Sequence, residues 1–169
     1  IDGKVDRLLQ AGSHAFWKFG RSIAVELVDL RLQAVEVSGQ DIMTRDKVSL
    51  RLNLSATYRH TDVLRAFAQL QKPAEHLYRE LQFALRAAVG TRTLDELLEN
   101  KTVIDDVVTA HMAAKLQPFG MVVESVGVKD IVLPGEMKAI LTQVVQAEKQ
   151  AQANVIRRRE ETAATRSLL

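Results

Sequence analysis

KVSLRLNLSATYR spans residues 47–59, and no two neighbours in it share a polarity. Val48, Leu50, Leu52, Leu54, Ala56 and Tyr58 take one parity, while Lys47, Ser49, Arg51, Asn53, Ser55, Thr57 and Arg59 take the other. Successive side chains of an extended strand point to opposite faces, so period two over this length predicts a strand with one face buried and one in water. That is the pattern of an antiparallel sheet, because strands of parallel sheets are covered on both faces.

Downstream the period changes. Thr61 and Asp62 supply capping side chains, and residues 63–70 read as a short helix closed before Pro73. Residues 74–89 place Leu77, Leu81, Leu85 and Ala88 on one stripe and stop at Gly90. Thr93 and Glu96 have capping-box spacing ahead of Leu94, Leu97 and Leu98. Thr102 and Asp105 start another helix whose stripe is Val103 or Ile104, Val107 or Val108, Met112 and Leu116. The run Gln117, Pro118, Phe119, Gly120 breaks it, and an alternating strand follows over 121–133. Upstream, residues 5–9 and 23–32 are strand-like pieces with turns at Gly12, Ser13 and Gly20. Residues 14–19 hold the single Trp and two of the five Phe, an aromatic cluster expected in the core or on a sheet face. The expected fold class is α+β, a mainly antiparallel sheet packed with several amphipathic helices and followed by a long C-terminal helix.

That last helix begins after Pro134, and residues 136–169 contain neither Gly nor Pro. The domain reading is therefore 1–134 for the sheet-and-helix body and 135–169 for the start of a coiled-coil or oligomerisation helix. Met137, Leu141, Val144, Ala151 and Val155 recur near a seven-residue spacing, interrupted by Glu148, and are the expected oligomer contact. Ala147, Ala151, Ala153, Ala163 and Ala164 permit close helix approach, and so weak a seam suits an assembly with many neighbours. The rival reading is a single solvated helix of high intrinsic propensity. The basic run Arg157, Arg158, Arg159 could face acidic head groups, but Glu160 and Glu161 directly after it favour ion pairs along exposed helix surface.

Chemistry is sparse. The 169 residues carry 23 basic and 21 acidic side chains, a net charge of +2, which is too balanced for broad phosphate neutralisation; no nucleic-acid partner is expected. No cysteine is present, so disulfides, thiolate metal sites and thiol nucleophiles are excluded. None of His14, His60, His76 and His111 lies three or four residues from another, so no helical metal pair exists. Asp105 and Asp106 are adjacent and diverge on a helix. Ser13 beside His14 and Ser55 ahead of His60 are the nearest approach to a nucleophile and base, with opposed directions in a strand. Glycine-rich phosphate loops and nucleophile elbows are missing, so no catalytic, metal or cofactor residue is assigned and no enzyme is expected. No apolar run approaches the roughly 20 residues that span a bilayer.

Three blocks carry a resemblance that runs nearly end to end. They are Gln40 to Asp46 leading into the alternating strand and Tyr58-Arg59; Leu85 to Gly90 followed by Leu94 to Leu98; and Phe119 to Val126 with Lys129 to Pro134 and Met137. Together they resemble the SPFH or Band 7 domain of stomatins, prohibitins and flotillins, most closely the prokaryotic slipins. Stomatin relatives usually carry proline where this chain has Ser38 and Gly39, and many have Trp where it has Phe119. The resemblance implies a membrane-associated scaffold on the cytoplasmic face of the cell membrane. It would form homo-oligomers, organise microdomains and modulate neighbouring membrane proteins. It also implies membrane lipids reached through an anchor missing from this sequence, and an NfeD-type membrane partner. Two other classes stay open: a monomeric soluble adaptor for one protein target, and a hydrolase with an unrecognised site.

Overall fold

The computed structural model describes residues 4–17, 19–100 and 102–167. One antiparallel sheet is built in the order β1-β2-β3 from β1 (Gln33–Met43), β2 (Ser49–His60) and β3 (Met121–Val132). Between β2 and β3 come α1 (Val63–Gln69), α2 (Pro73–Gly90), α3 (Leu94–Glu99), α4 (Thr102–Leu116) and a 3₁₀ turn, Gln117–Phe119; α5 (Gly135–Ser167) follows β3. The expected α+β class with a long terminal helix is what the chain adopts. It divides into two compact units between Val132 and Leu133.

The alternation of residues 47–59 is realised in the central strand. Leu50, Leu52, Leu54, Ala56 and Tyr58 are buried, and Leu77, Leu81, Leu85 and Ala88 of α2 join them in the core. Of the two options for the α4 stripe, Ile104 and Val108 go inside with Met112 and Leu116, and Val107 stays exposed. Helix α2 packs on β1, and α4 packs on both β3 and α2. The other sheet face is a polar ladder: Arg51 pairs with Asp41 at 2.9 Å, Lys129 with Glu36 at 2.8 Å, and Arg59 with Glu124 at 2.6 Å. Surface pairs of this kind add little stability each, but they keep that face wet.

Local chemistry fixes the ends. The Asp62 carboxylate accepts the Arg65 N–H at 3.0 Å and caps α1. Pro73 is placed at the start of α2, where its missing N–H costs nothing. The β1–β2 turn is built from Thr44 to Val48, with Lys47 in the left-handed region at φ 66°. Thr44 is buried and accepts the Val48 N–H at 3.1 Å, and the Asp46 carboxylate accepts the Leu94 N–H at 3.2 Å, docking the turn on α3. The Thr44 hydroxyl beside it is the main cause holding the Asp46 carboxyl below its usual range. This accounts physically for the Thr44-Arg45-Asp46 block. In β1 the register slips between Val37 and Gln40, where Gly39 sits at φ 67° and donates its N–H to Asn53 Oδ1 at 2.8 Å. A proline there could not make that bond.

The capping box of α3 is complete: Thr93 accepts the Glu96 N–H, and Glu96 accepts the Thr93 N–H at 2.9 Å. Thr93→Ala should lower unfolding free energy by about 1 kcal/mol in urea titration, the usual worth of such a cap. No change in midpoint would show that the docked turn alone holds this end.

The upstream segment corrects two expectations. Residues 5–9 and 23–32 are not in strands, and the first strand begins instead at Gln33. The aromatic cluster is not core: Trp17 and Phe19 are 89% and 88% exposed, and Phe16, half-buried, stacks under the Arg7 guanidinium 5.4 Å away. The reason is a missing partner, since β1 pairs only with β2 among the described residues.

Candidate self-assembly surface

Helix α5 runs for 33 residues, about 50 Å at 1.5 Å per residue. It starts cleanly, with the Lys138 N–H on the Pro134 carbonyl at 3.0 Å, and no later Gly or Pro interrupts it. The described residues of α5 past Leu141, through Ala163, are all exposed. Of the five expected contact residues, Met137 and Leu141 are half-buried, and Val144, Ala151 and Val155 are exposed.

Three further apolar residues share this exposure and escaped the seven-residue count: Ile140, Val145 and Ile156. Their signal is a different period. Ile140 and Ala151, Val144 and Val155, and Val145 and Ile156 are each eleven residues apart, three turns at nearly the natural helical repeat. At 100° per residue the apolar positions cover roughly half the helix circumference, wider than the narrow seam of a two-stranded coil. A surface of that width offers room for a neighbour on either side. The opposite side is polar, and Arg157 pairs with Glu161 at 3.5 Å, the exposed i, i+4 bridge expected of the basic run.

The scattered titratable groups do not converge. The His14 ring contacts the Gln10 carbonyl at 2.7 Å, and the His76 ring packs edge-on to Phe119. His60 packs against Tyr58 and Phe67, on the helix-covered face, away from Ser55; burial holds its imidazole below the usual pKa, and Nδ1 has no hydrogen-bond partner. His111 Nε2 lies 3.7 Å from Glu80 Oε2 across the α2–α4 contact. Asp105 accepts the Val128 N–H of β3 at 2.9 Å, while Asp106 is exposed. Among the described residues no group of three His, Asp or Glu is placed to hold a metal ion. Nor is any helix there long and apolar enough to cross a membrane.

This sheet, its helical cover and a long exposed helix agree with the resemblance seen in the sequence, and a family model described as SPFH domain / Band 7 family matches residues 1–162. The chain belongs to the SPFH domain/Band 7 family. This Band 7 chain is 29% identical over 129 residues to a stomatin homologue of Pyrococcus horikoshii, covering 76% of the chain and 48% of that protein. It is 29% identical over 141 residues to mechanosensory protein 2 of Caenorhabditis elegans, covering 83% and 29% respectively. A band 7 protein of Drosophila melanogaster is 28% identical over 169 residues, covering 98% and 33%. The chain thus spans less than half the length of each of these three relatives. Membrane association and a scaffolding role, not catalysis, are typical of the family.

Proposed function

We propose that this Band 7 chain supplies the body and the assembly helix of an oligomeric scaffold that organises membrane microdomains and modulates neighbouring membrane proteins. The observation that carries the reading is the broad apolar arc of α5 through Met137, Leu141, Val144, Ala151 and Val155, half-buried at the first two and exposed at the other three. Its residues are too scattered for a tight isolated dimer. Each contact is therefore weak, and confinement to a lipid surface multiplies it through effective concentration. The scaffold would be held to lipid on the cytoplasmic side, with an NfeD-type membrane protein as the companion.

The test is mass against concentration. Leu141→Asp with Val144→Asp puts two carboxylates on the arc, and burying each unpaired is costly. Light scattering of the concentrated chain should show association weakened about tenfold or more, with helicity and the unfolding transition retained. A single-subunit mass at every concentration in the unsubstituted chain, including when it is tethered to a lipid surface, would sink the scaffold reading and leave the monomeric adaptor.

A further inference from the structure

The two edges of the sheet are treated differently. At β3 the Asp105 carboxylate takes the backbone N–H of Val128, so α4 blunts that edge. At β1 no strand lies outside the eleven residues Gln33–Met43 among the described residues. Alternate backbone groups along β1 thus lack a ladder partner, the condition under which an extended chain adds as a further strand.

Beside that bare edge is a groove of about 420 Å³ between β1 and α2. It is lined by Val35 of β1 and by Ala74, Glu75, Tyr78, Arg79 and Gln82 of α2, of which Val35 and Tyr78 are half-buried and Ala74 is exposed. A strand laid along β1 would turn every second side chain toward the helix-covered face, and those beside Val35 would meet this groove.

One segment of the chain has the matching chemistry. Residues 23–32, IAVELVDLRL, are rich in strand-forming residues yet join no strand ladder among the described residues, and Val25 and Leu27 stand 70% and 96% exposed. Ile23, Val25, Leu27, Asp29 and Arg31 share one parity. Its apolar part suits Val35 and Tyr78, and its Asp29 and Arg31, which pair with each other at 2.6 Å within their own chain, are opposite in sign to Arg79 and Glu75 of the groove. Within its own chain the segment is held in a bend just before β1, where the Arg31 N–H donates to Asp29 Oδ1 at 2.9 Å and the Gln33 side chain donates to the Asp29 carbonyl at 3.0 Å.

We propose that residues 23–32 of one copy add as a fourth strand to the β1 edge of a second copy, with Val25 and Leu27 seated in the groove between β1 and α2. The contact is heterologous, a strand given and a groove received, so it propagates from copy to copy. It is independent of the α5 contact.

The experiment uses the 169-residue chain carrying Leu141→Asp and Val144→Asp, so that failure of the strand contact is read separately from failure of the α5 contact. Leu27→Pro removes a strand donor and leaves the groove; Ala74→Trp fills the groove from an exposed helix position and leaves the strand. Circular dichroism establishes that both variants fold. In sedimentation, each alone should remain a single subunit up to a concentration at least about tenfold above that at which the parent associates. Mixed in equal amounts, they should form a one-to-one dimer, because one still has the groove and the other still has the strand. Amides of residues 23–32 in the Ala74→Trp copy should gain hydrogen-exchange protection in the mixture. No dimer on mixing, with each variant losing protection at 23–32 alone, would show that the segment folds back on its own β1 edge and would overturn the proposal. Association unchanged in either variant alone would overturn it as well.

Discussion

Gly120→Ala is expected to destabilise the body by about 3 kcal/mol in urea unfolding. Gly120 closes the 3₁₀ turn in the left-handed region, at φ 65° and ψ 33°, where a residue with a Cβ costs roughly 1–2 kcal/mol. The added atom would also lie 2.6 Å from the Asp62 carbonyl oxygen and 2.7 Å from its Cβ. Neither side can retreat freely. Thr61 and Asp62 both donate their N–H groups to the Gly120 carbonyl, at 2.8 and 3.0 Å, and Asp62 is also the cap of α1. Moving Asp62 therefore loosens the helix start and the exit of β2 together. Gly127→Ala is the control: its Cβ would meet nothing within 4 Å, and its change should stay within about 0.5 kcal/mol. Equal costs at the two glycines would refute the close approach at Gly120.

How much of this could be read from the sequence depended on whether a residue's environment was local. The parity of β2, the Asp62 cap, the Thr93 and Glu96 box and the Leu77, Leu81, Leu85, Ala88 stripe are set within one element, and each is found where the pattern places it. Asp105 is different. As a helix-start residue it looks like a cap or a solvated charge, but its carboxylate is used 23 residues away, on Val128 of β3. Nothing in the spacing of α4 signals that. The terminal helix shows a third case, in which the element is plain and its period is not. Counting in sevens finds Met137, Leu141, Val144, Ala151 and Val155 but passes over Ile140, Val145 and Ile156, which the eleven-residue repeat brings onto the same arc. Residues 23–32 show the limit of composition, because strand chemistry specifies a readiness to pair and not the partner.

Two leucines in equally strand-like settings make that distinction measurable. Leu52 and Leu27 each lie in a stretch that the sequence reads as a strand. In the fold Leu52 is fully buried in the central strand, opposite Gln40 of β1 and Ile131 of β3 and flanked by buried Leu50 and Leu54, whereas Leu27 is 96% exposed. Leu52→Ala removes buried methyl and methylene groups from a site held on both sides by strand ladders, so the surroundings relax little and a cavity remains. A loss of about 3 kcal/mol is expected, within the span of large-to-small core substitutions. Leu27→Ala, measured in dilute protein, should change the same unfolding free energy by less than about 0.5 kcal/mol, because its side chain touches little that folding brings together. A large loss from Leu27→Ala under those conditions would mean that residues 23–32 already pack within the single chain, and the bare edge of β1 would then have its strand without a second copy.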